Sequence, residues 1–269
     1  MRLSDARVIL TGASGGIGLA IASALCASGA RVLAIARHRE ALGPLLTHYP
    51  QHLSWVAADL TCSADRSKVL AAAEAIGGIN LLINAAGVNH FAMLEQLDDS
   101  EINTMLAVNI SAPICLTKLL LPLLKQADTA MVVNVGSTYG SIGYAGYASY
   151  CATKFALRGF SEALRRELAD TRVGVLYVAP RATRTTMNSP AAQALNDALN
   201  ASVDDPKTVA SAVIHSIVGN RRDLYIGWQE RFFVRLNSLL PHLVDKGLRK
   251  HLPLIRRLSI KPEKEKHEP

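Results

Sequence analysis

A phenol and an ammonium stand four residues apart in Tyr150-Cys151-Ala152-Thr153-Lys154, which closes the stretch 137–154. If these residues lie early in a helix, positions i and i+4 share one face and both side chains address one point. A free phenol ionises near ~10, too high for acid–base work at neutral pH. A fixed ammonium a few ångströms away favours the phenolate, which predicts a lowered Tyr150 pKa. Ser137 lies thirteen residues upstream of Tyr150, at the end of an apolar run, where it can hold a substrate oxygen beside the phenol. Together these groups would transfer a proton to or from an oxygen. A Tyr-x-x-x-Lys pair on a helix also occurs as a solvated pair, so the elements that position it have to decide.

Those elements begin with the apolar run 7–10, followed by Thr11-Gly12-Ala13-Ser14-Gly15-Gly16-Ile17-Gly18 and a helical pattern. Strand, glycine turn and helix in that order predict a dinucleotide site: glycines admit a pyrophosphate to the backbone, and the helix N-terminus offers free N–H groups. A second strand, 31–36, closes on Ala36 with Arg37 next. No carboxylate stands there for a ribose diol, and a guanidinium suits a 2′-phosphate, so NADP(H) is expected in preference to NAD(H). A third strand, 53–58, runs into Asp59-Leu60, where the carboxylate is a candidate acceptor for the adenine amino group. A fourth, 79–83, runs into Asn84-Ala85-Ala86-Gly87, small residues that let backbone lie along the adenosine. Asn84 reads equally as a tie between loop and sheet.

Residues 65–76 and 101–125 are helical patterns, the latter with Asn109 in its middle. Asparagine is a poor interior helix former, so Asn109 marks either a satisfied buried amide or a kink that holds a water. Strands at 129–136, 172–179 and 223–227 and a helix at 147–168 complete the series. Strands alternating with helices, with no repeat or linker, predict one doubly wound α/β sheet. Its ligands would sit beyond the carboxyl ends of the strands, where the glycine turn, Arg37, Asp59, Asn84, Ser137 and Pro180 all fall.

The bulk of the 269-residue chain fits this: 49% hydrophobic, 19% charged and only 5% aromatic. Cysteines 26, 62, 115 and 151 show no metal-ligand spacing, and the eight histidines show no paired spacing on a helix face, so no metal is expected. Reduced thiols, a charged N-terminus and the lack of an 18-residue apolar run predict a cytoplasmic protein. The formal charge is +7, and residues 219–269 hold twelve basic against six acidic side chains, nearly the whole surplus. A near-neutral body argues against nucleic acid as the partner.

Taken in order, the glycine turn, Asn84-Ala85-Ala86-Gly87, Asn109, Ser137 and Tyr150-x-x-x-Lys154 resemble the short-chain dehydrogenase/reductase family over roughly residues 5–225. The resemblance implies a Rossmann-type sheet of seven strands, a nicotinamide cofactor and a tetrad of Asn109, Ser137, Tyr150 and Lys154. Tyr150 would protonate a carbonyl that Ser137 steadies, Lys154 would tune Tyr150 and bind the nicotinamide ribose, and Asn109 would hold a relay water. Pro180, Thr183 and Thr185 would contact the cofactor. The expected activity is NADPH-dependent reduction of an apolar, acyl-chain-like ketone or aldehyde. An alcohol dehydrogenase working oxidatively and a non-catalytic NADPH-binding sensor or scaffold are the rival readings.

Two features depart from the family pattern. Arg181 stands where a glycine is usual, so Arg181 or Arg184 is a candidate for an anionic carrier such as phosphopantetheine or CoA, or else a surface residue. Beyond a catalytic domain at 1–227, with a substrate-capping segment at 184–206, the chain continues as a basic amphipathic extension, 228–269. Residues 228–258 are expected to pack over the pocket, to join a homodimer or homotetramer, or to lie on an anionic membrane face. Residues 261–269 are expected to be disordered.

Overall fold

In the computed structural model, residues 1–260 are described; the tail expected to be disordered lies outside the described residues. Seven parallel strands form one sheet in the order β3-β2-β1-β4-β5-β6-β7. They are β1 (Arg7–Thr11), β2 (Arg31–Ala36), β3 (Leu53–Ala57), β4 (Leu81–Asn84), β5 (Ala130–Val135), β6 (Val173–Ala179) and β7 (Asp223–Tyr225). Apolar runs without polar alternation build it because both faces are covered. Successive side chains point to opposite faces. Val8, Leu10, Leu81, Ile83, Met131 and Val133 therefore join one core with Ile21 and Leu25 of α1 (Gly16–Ala27). Ile9, Leu82 and Val132 join the other, against the far layer of helices. β1 pairs with both β2 and β4, so the strand order reverses there and opens a crevice at the carboxyl edge.

The remaining helices are α2 (Gly43–His48), α3 (Ser63–Ala75), α4 (Asp99–Leu106), α5 (Ala112–Gln126), α6 (Ala148–Glu167), α7 (Pro190–Ala198) and α8 (Pro206–Val218). Three more, α9 (Trp228–Leu239), α10 (Pro241–Arg249) and α11 (Leu252–Leu258), form the extension. No pattern in the sequence marks α2 or α8 as helices, and α7 lies within the expected substrate-capping segment. Residues 101–125 are not one regular helix: a π-helical turn, Ala107–Ser111, separates α4 from α5 and contains Asn109.

By length and composition the stretch Asp99–Gln126 is apolar enough to cross a bilayer, although no unbroken apolar run of 18 residues occurs in it. One side of it packs as a core helix does. Leu116, Leu120 and Leu124 are buried on the sheet, and Asn109 and Thr117 are buried in hydrogen bonds.

Candidate active site

Tyr150 and Lys154 lie in the first two turns of α6, one helical turn apart, and both line a cavity of about 890 Å³ at the carboxyl edge of the sheet. That volume is near the upper end of the roughly 300–1,000 Å³ usual for small-molecule sites. Ser137 follows β5 and reaches the same cavity. Its Oγ accepts from the Tyr139 amide at 3.1 Å, which leaves its own hydrogen to bond the Tyr150 phenol. The Lys154 Nζ donates to the Val135 carbonyl at 3.1 Å and sits 5.5 Å from the centre of the Tyr150 ring.

The expected electrostatics need correcting. Burial raises the Tyr150 pKa well above the ordinary phenol value, and the Ser137 hydrogen bond offsets only part of that rise. Burial acts on Lys154 too, lowering its pKa to about 8. In this environment the phenol is a retained acid beside a lysine that gives up its proton easily.

Asn109 sits in the π-helical turn with its amide satisfied. Its Oδ1 accepts from the Val88 amide at 2.9 Å, and its Nδ2 donates to the Val88 carbonyl at 2.9 Å and to Thr153 Oγ1 at 3.0 Å. The side chain thereby ties the loop after β4 to α6, within van der Waals reach of Gly87. It does not line the cavity directly.

The glycine turn does two jobs. Gly12 has φ +65°, and a Cβ there would come within 2.7 Å of the Ala85 carbonyl; one at Gly18 would strike the Gly12 carbonyl. Both are needed for the turn to close against the loop after β4, which Thr11 also holds by accepting from the Ala85 and Ala86 amides. Gly15, Gly16 and Ile17 face the cavity, and the N-cap Gly15 supplies no side chain to satisfy the first-turn amides of α1. A helix start of that kind accepts an anionic group. A Cβ on Gly16 would press on Thr185 at 2.6 Å, so the backbone here forms a narrow cradle that fits a pyrophosphate. Ala85, Gly87, Pro180, Thr183 and Thr185 complete this half of the wall.

Other candidates lie elsewhere. Ser14 is exposed on the turn, and Arg37 is exposed past β2. Asp59 lies two residues beyond the end of β3 and holds its own turn, accepting from the Thr61 amide and hydroxyl; Arg37 contributes weakly to its lowered pKa. Leu60 packs against the core, and Ala86 lies beside Leu60 and Asn84 under the turn, off the main cavity. Asn84, the last residue of β4, is a tie, but of sheet to helix and strand rather than to a loop: its Nδ2 donates to Thr117 Oγ1 of α5 and to Asn134 Oδ1 of β5 at 3.1 and 2.8 Å.

Several side chains went unread in the sequence. Tyr139 stacks on Tyr144, and Tyr139 and Tyr147 present edges to Tyr150 at 6.4 and 6.3 Å, an aromatic basket around the phenol. The signal was the repeated tyrosine in 139–150. Tyr177 of β6, fully buried, donates to the Ser137 carbonyl at 3.1 Å and fills notches that only Gly136 and Gly140 leave. The roof comes from Met187 and from Phe233, Val244, Leu248 and His251 of the extension. His251 Nδ1 lies 3.4 Å from the Tyr144 hydroxyl, and Ile255 is buried with Met105 and Tyr147. The extension therefore packs on the pocket, one of the arrangements expected of it.

Arg181 is committed. Its guanidinium makes paired hydrogen bonds to Asp204 at 2.9 and 3.0 Å and longer ones to Glu230 at 3.4 Å. A residue so engaged is not free to meet an anionic carrier, so the Arg181 half of that expectation falls; Arg184 is exposed.

Fold and cavity define the class: a Rossmann-type oxidoreductase. A family model described as short chain dehydrogenase matches residues 6–196. The uncharacterized oxidoreductase YxnA of Bacillus subtilis (strain 168) is 29% identical over 259 residues, 93% of this chain and 73% of that protein. The 3-oxoacyl-[acyl-carrier-protein] reductase FabG of Vibrio cholerae is 30% identical over 223 residues, 79% of this chain and 90% of that protein. A short-chain dehydrogenase structure from Streptomyces avermitilis matches with a TM-score of 0.78 at 29% identity, covering 94% of this chain and 99% of that one. Another from Burkholderia cenocepacia J2315, in complex with NADP, gives 0.79 at 25% identity over 92% and 99%. The chain belongs to the short-chain dehydrogenase family.

Proposed function

We propose that the protein is an NADPH-dependent reductase of apolar ketones or aldehydes. The observation that carries this reading is the meeting, in one cavity, of a buried phenol, the Ser137 hydroxyl and Lys154 with an uncapped helix start. A reduced nicotinamide bound along Gly15–Ile17 and Thr185 would supply the hydride for the carbonyl carbon. Tyr150 gives its proton to the carbonyl oxygen, and its raised pKa keeps that proton in place until the substrate takes it. Ser137 donates a hydrogen bond to the same oxygen. Lys154 holds positive charge beneath the phenolate that results. Asn109 positions Thr153 and the Gly87 loop around them.

The reductive direction is supported by the Vibrio relative, whose name is that of a reductase. Arg37, exposed at the end of β2, supports NADP(H) over NAD(H), as does the bound NADP of the Burkholderia structure. The apolar roof and aromatic basket support an apolar substrate, and the name of the Vibrio relative, a 3-oxoacyl reductase, points the same way. For assembly, the reading takes the outer face of Asp99–Gln126 as a contact with a second copy, since only 33% of its most apolar window is buried within the chain. Light scattering at a mass of one chain would reject that part.

The decisive assay is NADPH consumption with ketones of graded chain length, wild type against Tyr150→Phe. The variant should bind NADPH normally and turn over roughly 10²–10⁴-fold more slowly. Equal rates would remove Tyr150 from the chemistry, and NADPH binding without turnover of any carbonyl would favour the sensor reading.

A further inference from the structure

We propose that the outer face of α9 and α10 docks on an anionic lipid bilayer, with the substrate cavity directly beneath. The two helices turn one side inward: Phe233, Val244 and Leu248 line the cavity, and Asn237 donates to the Ser141 carbonyl at 3.0 Å. The opposite side of α9 should then be polar, as on an ordinary surface helix. It is not. Trp228, Phe232 and Leu239 fall on one stripe there and are 76, 57 and 79% exposed. Leu240 and Leu243, at the turn into α10 and on its first turn, are each 55% exposed. Apolar groups gathered this way on a surface mark an interaction site.

The charge around that stripe selects the partner. Arg231 and Arg235 flank it on α9, and Lys246, Arg249 and Lys250 lie on α10 or just after it, all exposed. Residues 228–260 hold seven basic side chains and two acidic ones, and one of those acids, Glu230, is turned inward onto Arg181. A self-complementary contact between two copies would set this positive field against itself. A bilayer of anionic lipid offers apolar depth for the tryptophan, phenylalanine and leucines and headgroups for the bases. Helices that roof the cavity on one side and rest on lipid on the other would admit a bilayer-dissolved substrate without its crossing water. That consequence rests on the apolar-carbonyl reading above; the docking itself does not.

The test uses the full chain with vesicles of phosphatidylcholine, alone or with phosphatidylserine. Trp55→Phe leaves Trp228 as the only indole. The protein should float with the anionic vesicles and not with the neutral ones, and added salt should release it. Trp228 emission should shift to the blue and be quenched by brominated lipid. Phe232→Glu with Leu239→Glu, two exposed positions off the cavity wall, should cut binding at least about tenfold. Neutralising Arg231, Arg235 or Lys246 to Gln should cut it roughly fivefold each. The double variant should keep its rate on a short water-soluble ketone. Absence of flotation overturns the proposal, as does undiminished binding by the double variant. So does a dimer in ultracentrifugation that the double variant dissociates while vesicles are ignored, since the occupant is then a second copy. Flotation is read without turnover, so a failure of the reductase reading leaves this outcome intact.

Discussion

Replacing Lys154 by methionine should make the protein more stable while silencing its site. The lysine is 4% exposed, its one hydrogen bond goes to the Val135 carbonyl, and burial lowers its pKa from the ordinary 10.5 to about 8. At roughly 1.4 kcal/mol per pH unit, holding the ammonium in the fold costs about 3 kcal/mol near neutrality. Methionine removes that cost and fills the same channel, but strands the Val135 carbonyl, which returns about 1 kcal/mol. The net gain is about 2 kcal/mol, a rise in melting temperature of roughly 4–8 °C for a chain of this size. The pH dependence fixes the cause. Below about 8 the lysine is protonated in both states and the full cost is present. Between about 8 and 10.5 the folded lysine has lost its proton while the unfolded one keeps it. The unfolded chain then binds more protons, so wild-type stability rises with pH across that window. Urea titrations of both proteins, near neutrality and again beyond 10.5, should therefore show the advantage of Lys154→Met shrinking towards nothing or reversing. A methionine variant no more stable than wild type near neutrality, or an advantage constant with pH, would refute the reasoning.

The same titration should appear in catalysis: kcat/KM for carbonyl reduction falls as pH rises through about 8, and Lys154→Arg, which keeps its charge, moves that limb upward if it folds. A profile flat well past that value would detach Lys154 from the rate. Arg181→Met unpairs Asp204, which is only 10% exposed, and frees Glu230, so stability should drop by about 2 kcal/mol, between surface and buried ion-pair values. Because the roof loosens, KM for a long-chain ketone should rise more than kcat falls; an unchanged KM would separate the clamp from the pocket. Tyr177→Phe removes the hydroxyl that holds the Ser137 carbonyl and should cost about 1 kcal/mol by urea unfolding. It should also slow turnover several-fold without weakening NADPH binding, because Ser137 alone loses its support.

The sheet was legible because buried parallel strands write themselves as apolar runs, and all seven were read to within two or three residues. Tyr150, Lys154, Ser137 and the turn 12–18 were legible because local spacing alone brings them to one edge. What stayed hidden depended on partners far away in the chain. Tyr177 looks like one more apolar strand residue until Gly136 and Gly140, some forty residues earlier, are seen to make room for its ring. The direction of the Tyr150 pKa was misread for a related reason. Spacing shows that an ammonium is near, but not that Tyr139 and Tyr147 pack around the phenol and that both groups are buried. In that setting desolvation outweighs the attraction. For Asn84 a bond within the fold is legible as an alternative to an adenosine contact; for Asp59, which also holds its own turn through Thr61, it is not.

The two departures from the family pattern turn out to be one. An arginine in place of the glycine after β6 would ordinarily crowd the cavity mouth with a free charge. Here Asp204, just ahead of α8, and Glu230, in the first turn of α9, take that charge from two sides. Glu230 can do so because the chain turns sharply at Gly227, with φ +92°, where a Cβ would collide with the Glu230 carboxylate. Arg181 thus exchanges backbone freedom at one point for a clamp joining the substrate-capping segment to the extension. Neither departure is readily tolerated alone: without α9 the arginine loses one of its two acids, and without Arg181 the carboxylate of Glu230 faces an apolar roof. Glu230→Gln should therefore lower stability by less than Arg181→Met does, because the arginine keeps its paired bonds to Asp204. The double variant should be about as stable in urea as Arg181→Met alone, and losses that simply add would show Glu230 to act independently of the arginine.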